Sequence, residues 1–206
     1  MNELKNTWHQ LVARYSSEEQ LIEDLWLEIE KAHSSPKRHY HNLEHLQYML
    51  KLALKFQQSI QDLDTLLFSI FYHDFVYQAT KSDNEERSAE VATQRLQKLS
   101  LANSKIQNCQ AQILATKSHE NIGDKDCDFL LDFDLAILGD EPAVYESYCQ
   151  KIRKEYSIYP NYLYRKGRKK VLEHFLAMEW IFKTAEFRDS HEKQARQNLK
   201  MELGRL

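Results

Sequence analysis

An all-α chain is what this sequence predicts, and three observations carry the prediction. Only 4 glycines and 3 prolines occur among 206 residues, too few turn formers for a many-stranded sheet. Apolar side chains return every three or four positions through most of the chain, the period of a helix that buries one face. The breaks between those stretches hold residue types that start or stop helices: Asn42, Asp62, Asp83 and Pro142 at starts, Gly139 at an end. The length fits a single domain with a sizeable core, with residues 38–140 as its centre and residues 142–203 as C-terminal helices.

Residues 4–15 read as a short amphipathic helix with Trp8, Leu11 and Val12 on one side. Ser16 and Ser17 then offer N-caps, with Glu19 and Gln20 at the capping-box offset, for a helix over 18–33 striped by Leu21, Ile22, Leu25, Trp26 and Ile29. Pro36 follows its end, because the residue before a proline is pushed out of the helical region. Asn42 caps a helix running to Phe56 that turns Leu43, Leu46, Leu50 and Leu54 inward, with His45 on the same stripe. The next helix begins near Asp62 and carries Leu63, Leu66, Leu67, Ile70 and Phe71 into His73-Asp74. A short polar link makes these two an antiparallel hairpin that would bring His45 close to His73.

Residues 78–83 read as a loop, and Asp83 or Ser82 caps a helix over 84–99. Glu85 and Glu86 stand in its first turn, where the helix dipole favours negative charge. Asn103-Ser104 cap a further helix with Ile106, Cys109, Ile113 and Leu114 apolar, leading to Lys117 and His119 at its polar end. Residues 127–138 are apolar nearly all round, which implies burial. Yet Asp132 and Asp134 lie among them, and neither belongs there without a partner. They fall on different faces, so at most one points at a site; Asp134 is the choice. Pro142 fits the first turn of a helix holding Val144, Tyr145, Tyr148, Ile152 and Tyr156, and helices are expected over 169–183 and 192–203.

The net charge of −3 gives no basic excess of the kind a nucleic-acid surface needs. Three scattered cysteines, Cys109, Cys127 and Cys149, include no close pair and read as reduced thiols. The first twenty residues are polar and no apolar run is long enough to span a bilayer, so a cytoplasmic protein without a membrane partner is expected.

The chemistry centres on His73-Asp74, which ends the apolar run 66–72. A carboxylate beside an imidazole there is costly unless both find a strong partner, and a divalent cation is one. Upstream, Arg38-His39-Tyr40-His41-Asn42-Leu43-Glu44-His45 sets His41 and His45 four residues apart, on one face of a helix. Taken singly, each has a plainer explanation: a histidine on an apolar stripe is more often a hydrogen-bonded core residue, and Asp74 could start a turn. Joined with Asp134, they make His45, His73, Asp74 and Asp134 the candidate metal ligands. No Ser-His-Asp ordering or strand-turn-helix elbow points to nucleophilic catalysis.

This set resembles the HD superfamily of metal-dependent phosphohydrolases, where a His, a His-Asp pair and a distal Asp bind a divalent metal in an all-helical core. Residues Tyr40-His41-Asn42-Leu43-Glu44-His45 are similar to the matching segment of the cyclic-nucleotide phosphodiesterases. The stretches Arg38-His39-Tyr40-His41, His73-Asp74-Phe75-Val76-Tyr77, Asp83-Asn84-Glu85-Glu86-Arg87-Ser88-Ala89, Asp134-Leu135-Ala136-Ile137-Leu138-Gly139 and Arg153-Lys154-Glu155-Tyr156 resemble a bacterial branch of predicted HD phosphohydrolases. The likeness runs from about residue 38 to residue 196.

It implies an HD-type helical bundle and a hydrolase that cleaves a nucleotide or other small phosphoester by attack of metal-bound water, with His41 and Asp74 catalytic and His41 as general acid. The implied cofactor is one divalent ion (Mn, Mg, Fe, Ni, Co or Zn), with Asp74 bridging to a second, weakly held one. Dinuclear members carry two more histidines before the final Asp; His119 is the sole histidine in that interval here, which speaks against a second ion held wholly by protein. Arg38, Lys117, Arg153 and Arg168 are candidates for the substrate phosphate, an arginine suiting it by bidentate bonding, although paired surface charge is the plainer reading of the last two. His119 would line the pocket. Glu85 or Glu86, close in sequence to the His-Asp pair, would hold a coordinated water or orient a ligand histidine. The expected partner is a small phosphorylated substrate, with a homodimer left open. Two other readings stand beside this one: a di-iron oxygenase on the same frame, and a ligand-sensing or scaffold protein whose metal is structural.

Overall fold

The stretch that forms α4 (Leu63–Tyr72) is buried from Thr65 to Tyr72 on every side, which is why its sequence is apolar all round and not striped. In the computed structural model, residues 2–206 are described, with side chains from Glu3 onward. Every regular element among them is helical, in the all-α class that the sequence predicts. The chain divides into two compact units, Met1–Leu130 and Leu131–Leu206.

The first unit holds α1 (Asn2–Val12), α2 (Glu19–His33), α3 (Leu43–Lys55), α4, α5 (Asn84–Lys98), α6 (Asn103–Ala115) and the start of α7 (Lys125–Leu135). Trp8 of α1 sets its ring edge-on to Phe68, Phe71 and Tyr72 of α4, with centroids 5.1–6.0 Å away, and donates Nε1–H to the Ile22 carbonyl at 3.1 Å. Burying each such side chain stabilises the unit by roughly 1.5–3 kcal/mol. The buried Ser69 of α4 is satisfied: its hydroxyl meets Thr65 O at 3.0 Å and Gln112 Oε1 of α6 at 2.7 Å.

The expected Asn42 cap is present, and Asp62, near which a helix is expected to begin, caps α4. Asn42 Oδ1 accepts from Glu44 N at 2.8 Å, and Asp62 Oδ1 accepts from Thr65 N at 3.2 Å. Three others differ. No side chain caps α2, α5 or α6. Ser16 Oγ takes the Glu18 N–H in a local turn instead, and the start of α5 is tied by Asn84, whose amide bridges Gln78 N and Gln78 O, both at 3.0 Å.

The second unit holds the end of α7, a 3₁₀ turn Ala136–Gly139, α8 (Pro142–Glu155), α9 (Asn161–Ala177), the short α10 (Ala185–Phe187), a π turn Arg188–Glu192 and α11 (Lys193–Leu203). The helix expected over 169–183 starts earlier and stops earlier. Its continuation is lost because two buried carboxylates take the backbone donors that a helix would need. Glu192 accepts from Ile181 N and Phe182 N at 3.0 and 3.1 Å, and Asp132 accepts from Lys183 N and Thr184 N at 2.6 and 2.8 Å. Burial pushes the Asp132 carboxyl up to about 6 against the pull of these donors and the Thr184 hydroxyl. At Gly139 a side chain has no room: a Cβ there would lie 2.5 Å from His191 Cβ. No helix among the described residues is long and apolar enough to cross a membrane.

Candidate metal centre

Within the first unit, ligand atoms of His45, His73 and Asp74 gather within 4.8 Å of one another. His45 comes from the first turns of α3 and His73 ends α4, so the expected hairpin brings them together. His45 Nε2 stands 3.3 Å from His73 Nε2, which in turn stands 3.3 Å from Asp74 Oδ2. His45 and His73 are almost wholly buried, while 15 % of the Asp74 side chain reaches solvent.

These separations fit a cation. Two donors each about 2.1 Å from a common ion and about 90–110° apart lie roughly 3.0–3.4 Å from each other. The tautomer of His73 fits too. Its Nδ1 meets the Ile70 carbonyl of its own helix at 2.9 Å; a carbonyl only accepts, so Nδ1 carries a proton, and a ring that is neutral in this tautomer has its lone pair on Nε2, the atom facing the cluster. The donor set, two imidazoles and a carboxylate, suits several divalent metals.

His41 lies beside this cluster by a route that differs from the sequence reading. Since α3 begins at Leu43 with Asn42 as its cap, His41 precedes the helix and does not share a helical face with His45. A tight turn delivers it, with Asn42 N bonded to Tyr40 O at 2.8 Å. The His41 ring stacks on Tyr77 at 4.2 Å between centroids and sits 5.9 Å from the His45 ring; Tyr40 lies 4.9 Å from that same ring.

The remaining candidates are differently engaged. Arg38 is nine-tenths buried and donates to the Asp74 and Phe75 carbonyls. Lys117, exposed, pairs with Glu86, whose carboxyl it holds below the usual range, and donates to Ser82 O at 2.7 Å. Glu85 is half-exposed in the same first turn as Glu86. His119 lies in the turn after α6 with a left-handed backbone, φ 53°, its N–H bonded to Ala115 O at 2.9 Å.

In the second unit, Arg168 grips Glu202 with Nε at 2.8 Å and Nη2 at 2.9 Å. Arg153 donates to Tyr156 O, Tyr159 O and Asn161 Oδ1 and lies over the Tyr164 ring. Arg168 is thus a paired charge, whereas the Arg153 guanidinium is taken up by carbonyl and amide oxygens and a ring. Asp132 serves as the cap described above, and Asp134 is half-buried on the part of α7 that belongs to the second unit. The three cysteines are unpaired, and burial pushes each thiol up to about 12, out of the range of a reactive thiolate.

Two neighbours escaped the sequence reading. Tyr77 stands in the stretch that carries the resemblance but suggests no role of its own, since an aromatic after an apolar helix is ordinary core material. His33 did give one: it continues the buried stripe Ile22, Trp26, Ile29 of α2. Its Nδ1 meets Ile29 O at 3.0 Å, and its ring is pushed down to about 3, first by burial and then by the charge of Arg38.

Comparison of the chain with models of known protein families, with curated proteins and with solved structures finds no match.

Proposed function

We propose that this chain is a cytoplasmic, metal-dependent hydrolase of the HD type that cleaves small phosphoesters, with His45, His73 and Asp74 as ligands of one divalent ion. The observation that carries the reading is the 3.3 Å spacing of His45, His73 and Asp74 donors together with the Nδ1 bond that leaves the His73 lone pair aimed at them. A bound ion would lower the pKa of a coordinated water from about 15.7 toward about 7 and draw off charge from a phosphoryl oxygen.

The side chains supply the rest. His41, protonated, would give its proton to the leaving oxygen as the phosphorus–oxygen ester bond breaks, while water adds its oxygen to phosphorus and gives up a proton to solvent. Tyr77, stacked on His41, limits the directions that imidazole can face. Of the basic candidates, Lys117 is the accessible one, with 44 % of its side chain exposed, and it would meet the substrate phosphate by exchanging it for Glu86.

The test is manganese-dependent hydrolysis of bis(p-nitrophenyl) phosphate and of p-nitrophenyl phosphate by wild type and by His73→Ala, with metal content measured on the same samples. The reading expects turnover in wild type, its loss in the variant, and about one ion per chain. Equal rates in both proteins would remove the site from the chemistry, and two irons per chain in aerobic preparations would favour an oxygenase.

A further inference from the structure

Arg38 is an arginine inside the protein, 9 % exposed, a place where a guanidinium persists only when its donors are matched. Its Nη1 donates to the Asp74 carbonyl at 2.7 Å and, more weakly, to the His41 carbonyl at 3.3 Å; its Nη2 donates to the Phe75 carbonyl at 2.9 Å. The acceptors come from two segments, one 36 positions from Arg38 in sequence and one only three. The first is the turn after α4 that carries Asp74. The second is the lead-in to α3 that carries His41 and, four residues on, His45. The guanidinium carbon also lies 5.6 Å from the Tyr77 ring on which His41 stacks. Arg38's own backbone is anchored, its N–H bonded to Ser35 O at 2.9 Å.

We infer that Arg38 is the positioning residue of this site and not a grip on the substrate: one planar fork ties the backbone of Asp74 to the backbone of His41 and sets the separation of the two. The inference rests on the reading of His45, His73 and Asp74 as an ion-binding group. A lysine cannot take the place of the fork, because an ammonium is a point donor on a flexible stem and cannot span carbonyls that diverge from two segments. Asp74 and Phe75, just past the last turn of α4, leave carbonyls that no helix satisfies. Without the guanidinium the turn loses the donors that hold its direction.

Arg38→Lys and Arg38→Ala, titrated with Zn²⁺ in competition with a chromophoric chelator, test this without any turnover measurement. Ion affinity is expected to fall about 10–100-fold in both, the usual consequence of removing a partner that orients metal ligands. Millimolar guanidinium is expected to restore part of the affinity to Arg38→Ala. Unchanged ion affinity in both variants, with only the KM for a phosphoester raised, would overturn the inference and return Arg38 to the substrate.

The folded wild type offers a second readout that no variant instability can spoil. Held between carbonyls of two segments, Arg38 Nη1 and Nη2 should give separate ¹⁵N resonances in slow exchange; a single averaged resonance would overturn the inference. Should wild type bind no divalent ion, the metal reading fails and takes the functional half of the inference with it, while the Nη signals still decide whether the fork is held.

Discussion

His45 Nε2 and His73 Nε2 stand 3.3 Å apart although 28 residues separate them in sequence. With the His73 proton fixed on Nδ1 by the Ile70 carbonyl, this approach joins two nitrogens of which at least one is a bare acceptor. Such a contact is stable when a proton or a cation lies between the rings, and for a cation the Asp74 carboxylate oxygen, 3.3 Å from His73 Nε2, offers a third ligand.

Ion binding should therefore stabilise the folded chain. At a free ion concentration near 100 times Kd the gain is about 2.7 kcal/mol, which for a protein of this size raises Tm by roughly 5–10 °C. Thermal melts with manganese or zinc against melts with chelator should show that rise in wild type and none in His73→Ala. The same Tm with and without ion would contradict the site.

His41→Asn should separate proton transfer from ion binding. A lost general acid typically lowers kcat by about 10²–10⁴, while ion affinity should stay within about twofold, since His41 is not among the clustered donors. Because an acid works only when protonated, the wild-type rate should fall on the alkaline side of its profile, and that fall should vanish in the variant.

The Arg168–Glu202 pair predicts an acid-sensitive second unit. Burial pushes the Glu202 carboxyl up, but the Arg168 hydrogen bonds and charge outweigh it and leave the carboxyl below its ordinary value of 4.5. A depressed carboxyl contributes stability that is present above that ordinary value and lost as pH falls through the lower folded one. Denaturant unfolding between pH 3 and 7 should show wild type losing stability in acid and Glu202→Gln losing less. Glu202→Ala at neutral pH should cost roughly 3–5 kcal/mol by stranding a buried guanidinium, and the double change Arg168→Met, Glu202→Leu clearly less than the sum of the single changes.

Lys117→Met should change folding stability by no more than about 0.5 kcal/mol, since its pair with Glu86 is exposed. If Lys117 meets the substrate phosphate, KM for a phosphoester rises severalfold with kcat little changed. Unaltered kinetics would take Lys117 out of the site.

Much of the first unit was legible residue by residue. Asn42 caps the helix it is expected to cap, α4 begins beside Asp62 as expected, and the run 66–72 is buried as its composition requires. The misreadings share one cause. Residues 178–183 are expected to be helical, but Ile181, Phe182, Lys183 and Thr184 give their N–H groups to Glu192 and Asp132, and His41 has helical spacing from His45 but stands before the cap. In each case a side chain distant in sequence, or a cap, outweighed a weak local preference.

Helicity, the buried run and the identity of the donors His45, His73 and Asp74 could be taken from the order of residues, because periodicity and burial cost act over a few neighbouring positions. The 3.3 Å approach of the two imidazoles, the side of His73 that carries its proton and the employment of Arg38 on the Asp74 and Phe75 carbonyls belong to the folded chain alone. Hydrogen-bond partners 36 positions apart leave no local pattern, and only the packing of α3 against α4 brings them within reach.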